Sequence, residues 1–405
     1  MTEHTDILVI GGGASGMASA IEAATKGASV RILEKKEQLG KKVLKTGNGR
    51  CNYSNFYLTE RNYRTHSKEF VKRVLHTCHT EALIDWFESL GMLSMSKDRY
   101  LYPSTNRAET VVKVLSRALK KLNVAVELDT NVTGIKKTGS GFLVQTDRGV
   151  FTSGKLILSA GTDAGVSDPR PSVMPDVLKA FGHHLYPFDS ALTELLGNES
   201  VESYWEGVRL TGSIRFREEQ EEGELQFTKQ GISGIPAFQV SRFVANALSA
   251  GEPAVVFLNL LPSYDEEALF DMLKREKEMF PDEQLRDVLE GWLPRKLLFA
   301  VSLKDETRFR MKMSDCSDSD LKSVITLLTS FPYRVRGVGD ALRSQVLQGG
   351  LDLNEVTDSM ESRLVPGLYV TGELLDADGM CGGYNLHFAF ATGRIAGNAA
   401  AEALR

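Results

Sequence analysis

An α/β fold, begun and ended by one kind of architecture and interrupted by another, is predicted by three observations. The chain opens with a strand, a glycine-rich turn, a helix and a second strand, a Rossmann-like βαβ unit of about 30 residues. Its composition then shifts near residue 169, where Pro169, Pro171, Pro175 and Pro187 punctuate a linker-like stretch. Late in the chain the α/β signal returns, with Gly367-Leu-Tyr-Val-Thr371 as a buried strand and Phe388–Leu404 as an Ala-rich helix.

The elements follow in order. Asp6–Ile10 reads as a buried strand, Met17–Lys26 as a helix stopped by Gly27, and Ala28–Leu33 as a strand ending at Glu34. A Gly-, Lys- and Asn-rich loop covers 39–55. Residues 66–91 carry Leu83, Ile84, Trp86, Phe87 and Leu90 at helical spacing, and 108–122 form a second amphipathic helix. Strands are expected at Val124–Leu128, Thr130–Lys136, Phe142–Thr146 and Lys155–Ser159. Residues 191–262 read as several short strands around turns. Three helices follow, Asp265–Met279, Asp282–Leu289 and Asp320–Leu328, the last capped by Ser319.

Composition bounds the function. The 405 residues are 42% hydrophobic and 25% charged, which is ordinary globular usage and enough chain for two to three domains. Four scattered cysteines, none in a CxxC pair, exclude a disulfide scaffold and a zinc ribbon, and fit a reducing compartment. A net charge of −5 does not draw in nucleic acid as a bulk field, though it leaves a local basic patch open. No stretch approaches the roughly 18 apolar residues of a membrane span. Met1–Asp6 has no basic leader, so a soluble cytoplasmic protein without a signal peptide is expected.

The chemistry concentrates in a few motifs. In Gly11-x-Gly13-x-x-Gly16 the first glycine permits a tight turn, the second lets backbone approach a pyrophosphate, and the third lets helix and strand pack closely. The helix N-terminus then meets phosphate charge, and Glu34 can accept hydrogen bonds from an adenosine ribose. Three features favour FAD over NAD. Leu156–Gly161 is a strand ending in small residues that can pass close to a dinucleotide. Tyr369-Val-Thr-Gly372-Glu373 supplies an acid for a ribityl chain. Gly379-Met-Cys-Gly-Gly-Tyr-Asn385 precedes a helix whose dipole suits the flavin N1–C2=O, where negative charge gathers on reduction. No second GxGxxG with a following acid or arginine is present, so a nicotinamide nucleotide would visit rather than reside.

Gly11-Gly-Gly-Ala-Ser-Gly-Met17, Leu44-Lys-Thr-Gly-Asn-Gly-Arg-Cys-Asn52, Tyr102-Pro-Ser104, Phe227-Thr-Lys-Gln-Gly-Ile-Ser-Gly234 and Gly372–Gly379 with Gly382-Gly-Tyr-Asn-Leu386 resemble the BaiN/YhiN-type, aminoacetone-oxidase-like NAD(P)/FAD-dependent oxidoreductases, across nearly the whole chain. The resemblance implies a two-dinucleotide-binding-type FAD domain with an inserted β-barrel-like domain and a small helical domain. Set on the composition shift, this gives a discontinuous FAD-binding domain at 1–188 and 335–405. A β-barrel-like insertion takes 189–264, completed by part of 319–334, and a small helical domain takes 265–330. Some members are described as reductases of conjugated double bonds in bile-acid intermediates, others as aminoacetone oxidases, others as dihydrouridine synthases on ribosomal RNA. After Ala160-Gly161 the chain departs from the family's Gly/Ser-rich stretch and reads Thr162–Ser172 instead.

Motif and resemblance together nominate Gly11, Gly13, Ala14, Ser15, Gly16, Glu34, Lys35, Lys42, Thr46, Gly47, Asn48, Arg50, Cys51, Asn52, Val132, Ala160, Gly161, Gly372, Glu373, Gly383, Tyr384, Asn385 and Leu386 as FAD contacts. Tyr384, His387, Cys381 and Asp376 are the candidates for moving a proton. His183-His184 has no acidic or cysteine neighbour at metal spacing, so no metal site is expected. The expected activity is hydride transfer from transient NAD(P)H through flavin N5 to a conjugated C=C of an organic substrate, an enone of the steroid or bile-acid kind that the resemblance implies. Its rivals are an amine oxidase releasing peroxide, a ribosomal RNA dihydrouridine synthase, and a flavin-binding protein with no turnover. The RNA reading needs a basic face, which Lys229, Arg242, Arg295, Lys296, Lys304, Arg308, Arg310, Lys312, Arg334, Arg336 and Arg343 would supply.

Overall fold

Ile7–Ile10 is a continuous apolar run because both faces of its strand are covered, the usual state of a central parallel strand. The computed structural model describes residues 3–165, 168, 170, 172–197 and 201–405. In it, Glu3–Ile10 lies parallel to Val30–Leu33 on one side and to Gly149–Leu158 on the other. Ala125–Glu127 extends the sheet beyond Val30–Leu33. Gly149–Leu158 forks it: its first half pairs antiparallel with Phe142–Thr146, and its second half runs parallel to Leu368–Val370. Val132–Lys137 completes the seven strands.

The helices Ala14–Thr25 and Tyr384–Glu402 pack on this sheet and on each other. A Cβ at Gly393 would sit 2.3 Å from the Ser15 carbonyl oxygen, and one at Gly397 2.2 Å from that of Ser19, so only glycine allows this approach. The terminal helix starts at Tyr384, a turn earlier than its apolar run suggested, because Gly383 at φ 91° ends the preceding loop.

The single helix expected over 66–91 is two, Lys68–Thr77 and Thr80–Ser89. Cys78 leaves helical geometry, and the His79 ring accepts from Ala82 N at 3.3 Å to cap the second. Ala108–Lys121 is helical as read. A small sheet not anticipated in the sequence joins Ser54–Asn55, Tyr100–Pro103 and Ser94–Lys97, turning at Asp98 with φ 55°. In the proline-rich stretch, Pro175 sits in the first turn of a helix, Met174–Ala180, where its missing N–H costs nothing. Pro169 and Pro171 lie outside the described residues.

Contacts divide the chain into two compact units, Met1–Asp189 with Val346–Arg405, and Ser190–Gln345. The second unit is a closed barrel of Leu195–Gly197, Gly231–Ser233, Glu219–Phe227, Arg209–Phe216, Ala254–Asn259 and Phe331–Val338. The last strand pairs with both the first and Ala254–Asn259, so the chain leaves this unit at 345 and not at 335. Helices Glu266–Met279, Arg295–Ser302 and Asp318–Thr329 belong to the same unit. Ser317 caps the last of them in a reciprocal box with Asp320, displacing the expected Ser319. Ile235–Ser249, read as part of a strand-rich stretch, is a helix with Pro236 in its first turn. Its β-branched and aromatic residues suit strands, but Ala237, Val240, Val244 and Ala247 recur at helical spacing and are buried.

Candidate active site

Close backbone approaches shape the glycine crest. Gly11 has φ 100°, and a Cβ there would lie 2.5 Å from the Ser159 carbonyl oxygen. A Cβ at Gly16 would lie 1.9 Å from the Gly11 carbonyl oxygen. Gly13 is different, because a Cβ there would meet nothing within 4 Å. The crest is therefore closed behind and open in front, where the first-turn amides of Ala14, Ser15 and Gly16 have no intrahelical acceptor.

Glu34 is buried at the edge of this opening. Its carboxylate accepts from Gly12 N at 2.6 Å and Lys36 N at 2.8 Å. Burial raises its pKa, against those amides and the charges of Lys35 and Lys36. The loop that departs from the family pattern answers these cations. Asp163 lies 3.6 Å from Lys35, and Asp168 lies 2.5 Å from Lys36 and 3.1 Å from Arg170. The Arg170 guanidinium holds the Asp168 carboxyl well below the usual range.

Beside the crest stand Ala160, Gly161, Gly372 and Glu373. Both Glu373 carboxylate oxygens lie 2.7 Å from Lys42 Nζ, and one also accepts from the Thr162 hydroxyl at 3.0 Å. Gly372 adopts φ 65°, and a Cβ there would lie 2.9 Å from the Ser15 hydroxyl oxygen. The loop Val43–Gly49 continues through Gly47, Asn48, Gly49 and Cys51, all with positive φ. Thr46 bonds back to the Val43 carbonyl at 2.7 Å and so holds this loop. Cys51 is fully buried and its thiol is pushed up to about 12, which removes it as a redox thiol. Among the described residues no carboxylate pairs with Arg50, which lies near Tyr102. Val132 is buried in the sheet.

A third wall is the turn before the terminal helix. Asn385 closes it by accepting from Gly379 N at 2.7 Å and donating to the Gly379 carbonyl at 2.8 Å. The Asn52 amide donates to the Ser54 and Leu101 carbonyls and accepts from Gly383 N at 3.3 Å. Asn55 donates to the Gly382 carbonyl at 2.9 Å, and the Tyr63 hydroxyl to that of Tyr384 at 2.9 Å. The TGNGRCN loop and the GGYN turn, more than 300 residues apart, are thus bolted together. Leu386 follows in the first helical turn.

The proton candidates fare differently. His387 is fully buried, its ring nitrogens taken by the Ser54 hydroxyl and the Cys78 carbonyl, each at 2.8 Å. Burial lowers its pKa to about 4. A sealed neutral ring cannot supply the proton, and His387 is a structural histidine. Tyr384 is buried, with its phenol raised by burial and opposed by Arg99. Cys381 is partly exposed. Asp376 is buried and gains a partner no spacing revealed: it accepts from His66 N at 3.0 Å and pairs with His66 Nδ1 at 2.8 Å. The exposed His66 ring stacks on Tyr186 at 3.7 Å, so an oriented imidazole joins the groups able to move a proton. His183 and His184 also gain acidic partners, Glu355 at 2.6 Å and Asp352 at 3.8 Å.

The model of the HI0933-like protein Rossmann domain matches residues 5–399. The chain belongs to that family. It is 34% identical to the 3-dehydro-bile acid delta(4,6)-reductase of Clostridium scindens, over 97% of this chain and 98% of that one. It is 27% identical to the ribosomal RNA dihydrouridine synthase of Escherichia coli, over 96% of each. Among solved structures it resembles 3-ketosteroid delta1-dehydrogenase from Sterolibacterium denitrificans, with a TM-score of 0.54 at 14% identity, covering 99% of this chain and 100% of the other. A flavocytochrome c3 fumarate reductase gives a TM-score of 0.51 at 14% identity, covering 99% of this chain and 78% of the other. Family and fold make the chain an FAD-dependent oxidoreductase, and the open face at Gly13 fits that cofactor's pyrophosphate. Among the described residues no helix is long and apolar enough to cross a membrane.

Proposed function

We propose that the chain reduces a conjugated carbon–carbon double bond in a small enone of steroid or bile-acid type, with NADH or NADPH as the transient electron donor. The observation that carries this reading is the end-to-end similarity to a bile-acid reductase at 34% identity. Bound FAD would supply hydride transfer. The chain's own residues would do the rest. The Gly11–Gly16 crest and the first helix turn hold the pyrophosphate, Glu34 the adenosine ribose, and Glu373 the ribityl chain. The helix beginning at Tyr384 sets its positive end against the flavin pyrimidine. Asp376 orients His66, which with Tyr384 and Cys381 makes the set from which the proton comes.

The RNA reading is supported by end-to-end relatives at 27% and 25% identity. The expected basic face counts against it. Carboxylates of the same unit pair with Arg295, Arg308, Arg310, Lys312 and Arg343, leaving less cationic surface for phosphates.

Anaerobic titration with NADH and with NADPH, followed by flavin absorbance, tests the proposal. Rapid bleaching by one of them, reversed by a conjugated enone, is the expected result. A flavin left oxidised by both, with peroxide released from an amine, would replace it with the oxidase reading. Bleaching reversed only by ribosomal RNA would replace it with the synthase reading.

A further inference from the structure

The hairpin Ser94–Pro103 and the adjacent Phe56-Tyr57 enclose an open cavity of about 610 Å³, lined by Phe56, Tyr57, Asp98, Arg99 and Tyr100. It adjoins the GGYN turn: a Cβ at Gly382 would lie 3.0 Å from the Tyr100 ring and 3.1 Å from the Tyr384 ring. Phe56 and Tyr57 are 46% and 67% exposed and stand side by side at this cavity. Arg99 lies over the Tyr100 ring at 5.3 Å and donates to its hydroxyl at 3.3 Å. Among the described residues no carboxylate lies within ion-pair distance of it, Asp98 included. The groups that act on its charge are the phenols of Tyr57, Tyr100 and Tyr384. Arg99 is itself exposed at the mouth of this ring-lined cavity, so its guanidinium is accessible to an oxygen anion that enters there.

We infer that this cavity seats the planar ring of the substrate and that Arg99, with the Tyr100 hydroxyl, receives the substrate's carbonyl oxygen as it turns into an enolate. The inference rests on the enone reading above. Its electron count is simple. Hydride adds its electron pair to the β-carbon. The C=C pair moves between the α-carbon and the carbonyl carbon, and the carbonyl π pair moves onto oxygen. The substrate gains two electrons, the hydride donor loses them, and a proton then enters at the α-carbon as the carbonyl re-forms. The oxygen's charge exists only between these events, so a cation fixed at that oxygen lowers the barrier rather than merely binding the ketone. The aromatic walls suit a flat conjugated ring and give no purchase to a flexible aliphatic amine.

The test uses the FAD-loaded protein and 2-naphthol, a planar phenol whose neutral and anionic forms absorb at different ultraviolet wavelengths. In the wild type the bound naphthol should ionise at least one pH unit lower than in water. Arg99→Met should abolish that shift and lower enone turnover at least tenfold, with FAD content unchanged, and Arg99→Lys should restore part of both. An unaltered naphthol shift in Arg99→Met would overturn the inference, whatever the enone assay gives. So would displacement of naphthol by NAD(P)H but not by enone, which would give the cavity to the donor. An Arg99-dependent shift in a protein that turns over no enone would uphold the oxyanion seat while removing the enone reading.

Discussion

The glycine crest of the first unit is packed backbone on backbone, and the cluster around Trp205 in the second unit ring on ring. Around the crest, Gly11, Gly16, Gly372, Gly393 and Gly397 bring main chain to main chain or to small side chains, while the space in front of Gly13 is open. In the second unit, Trp205 at the end of a short helix is fully buried against the barrel-strand residues Phe227 at 4.8 Å, Tyr333 at 5.2 Å and Phe331 at 6.3 Å. Tyr333 donates to Glu202 at 2.8 Å, so even the polar tip of that cluster is satisfied inside. The crest leaves a space open in front of Gly13, and the Trp205 cluster fills one. Closed barrels of few strands commonly have interiors that side chains fill.

Substitutions can break this contrast at either end. Gly16→Val places carbon where the Gly11 carbonyl oxygen already lies, 1.9 Å from the first added atom. The expected outcome is insoluble or unfolded protein, read by expression and circular dichroism, because main chain cannot yield as a side-chain tip can. Trp205→Ala opens a cavity in the ring cluster and should cost about 3–5 kcal/mol in denaturant unfolding. The flavin spectrum should stay as in the wild type, since the loss falls in the other unit. A large change in FAD content on Trp205→Ala would refute the division of labour.

His387 contributes next. Its folded pKa of about 4 lies below the ordinary 6.5, so the unfolded chain takes up a proton that the folded chain refuses. The stability it confers is complete above pH 6.5 and is lost as pH falls toward 4, an acid sensitivity of about 3 kcal/mol. A His387→Gln chain should lack that component when melting temperatures at pH 7.5 and 4.5 are compared. The gentlest change is Gly13→Ala, whose added carbon meets nothing within 4 Å. It should fold like the wild type yet hold FAD about tenfold more weakly, roughly 1.4 kcal/mol, in a titration of apoprotein with FAD. Equal affinity would mean that the open face at Gly13 is not where the pyrophosphate rests.

Much of the first unit was legible because its signals are local. A strand, a glycine turn, a helix and an acid at the next strand's end lie within 30 residues, and each glycine's reason is steric. What stayed hidden depends on distant partners. Nothing near His66 announces that Asp376, some 310 residues later, will orient it. Nothing near Arg99 announces that the GGYN turn will lie beside its hairpin. His387 shows the converse: its place near the motif suggested chemistry, and only Ser54 and Cys78 reveal a ring whose nitrogens are both spent. Ile235–Ser249 misled for another reason, since its side chains favour strands and tertiary burial overrode them.

The pairing of the first helix with the terminal one also sets a timetable. The crest Gly11–Gly16 and the turn Gly379–Leu386, the two segments proposed above to hold the cofactor, are about 370 residues apart. At a synthesis rate of 5–20 residues per second, the ribosome needs roughly 20–70 s to travel from one wall to the other. For that whole interval the crest exists without its counterpart, and the surface of the first helix that will meet Gly393 and Gly397 stands uncovered. A flavin site that needs both segments is complete only once the terminal helix has emerged. Riboflavin starvation should accordingly yield a folded apoprotein that colours on later addition of FAD.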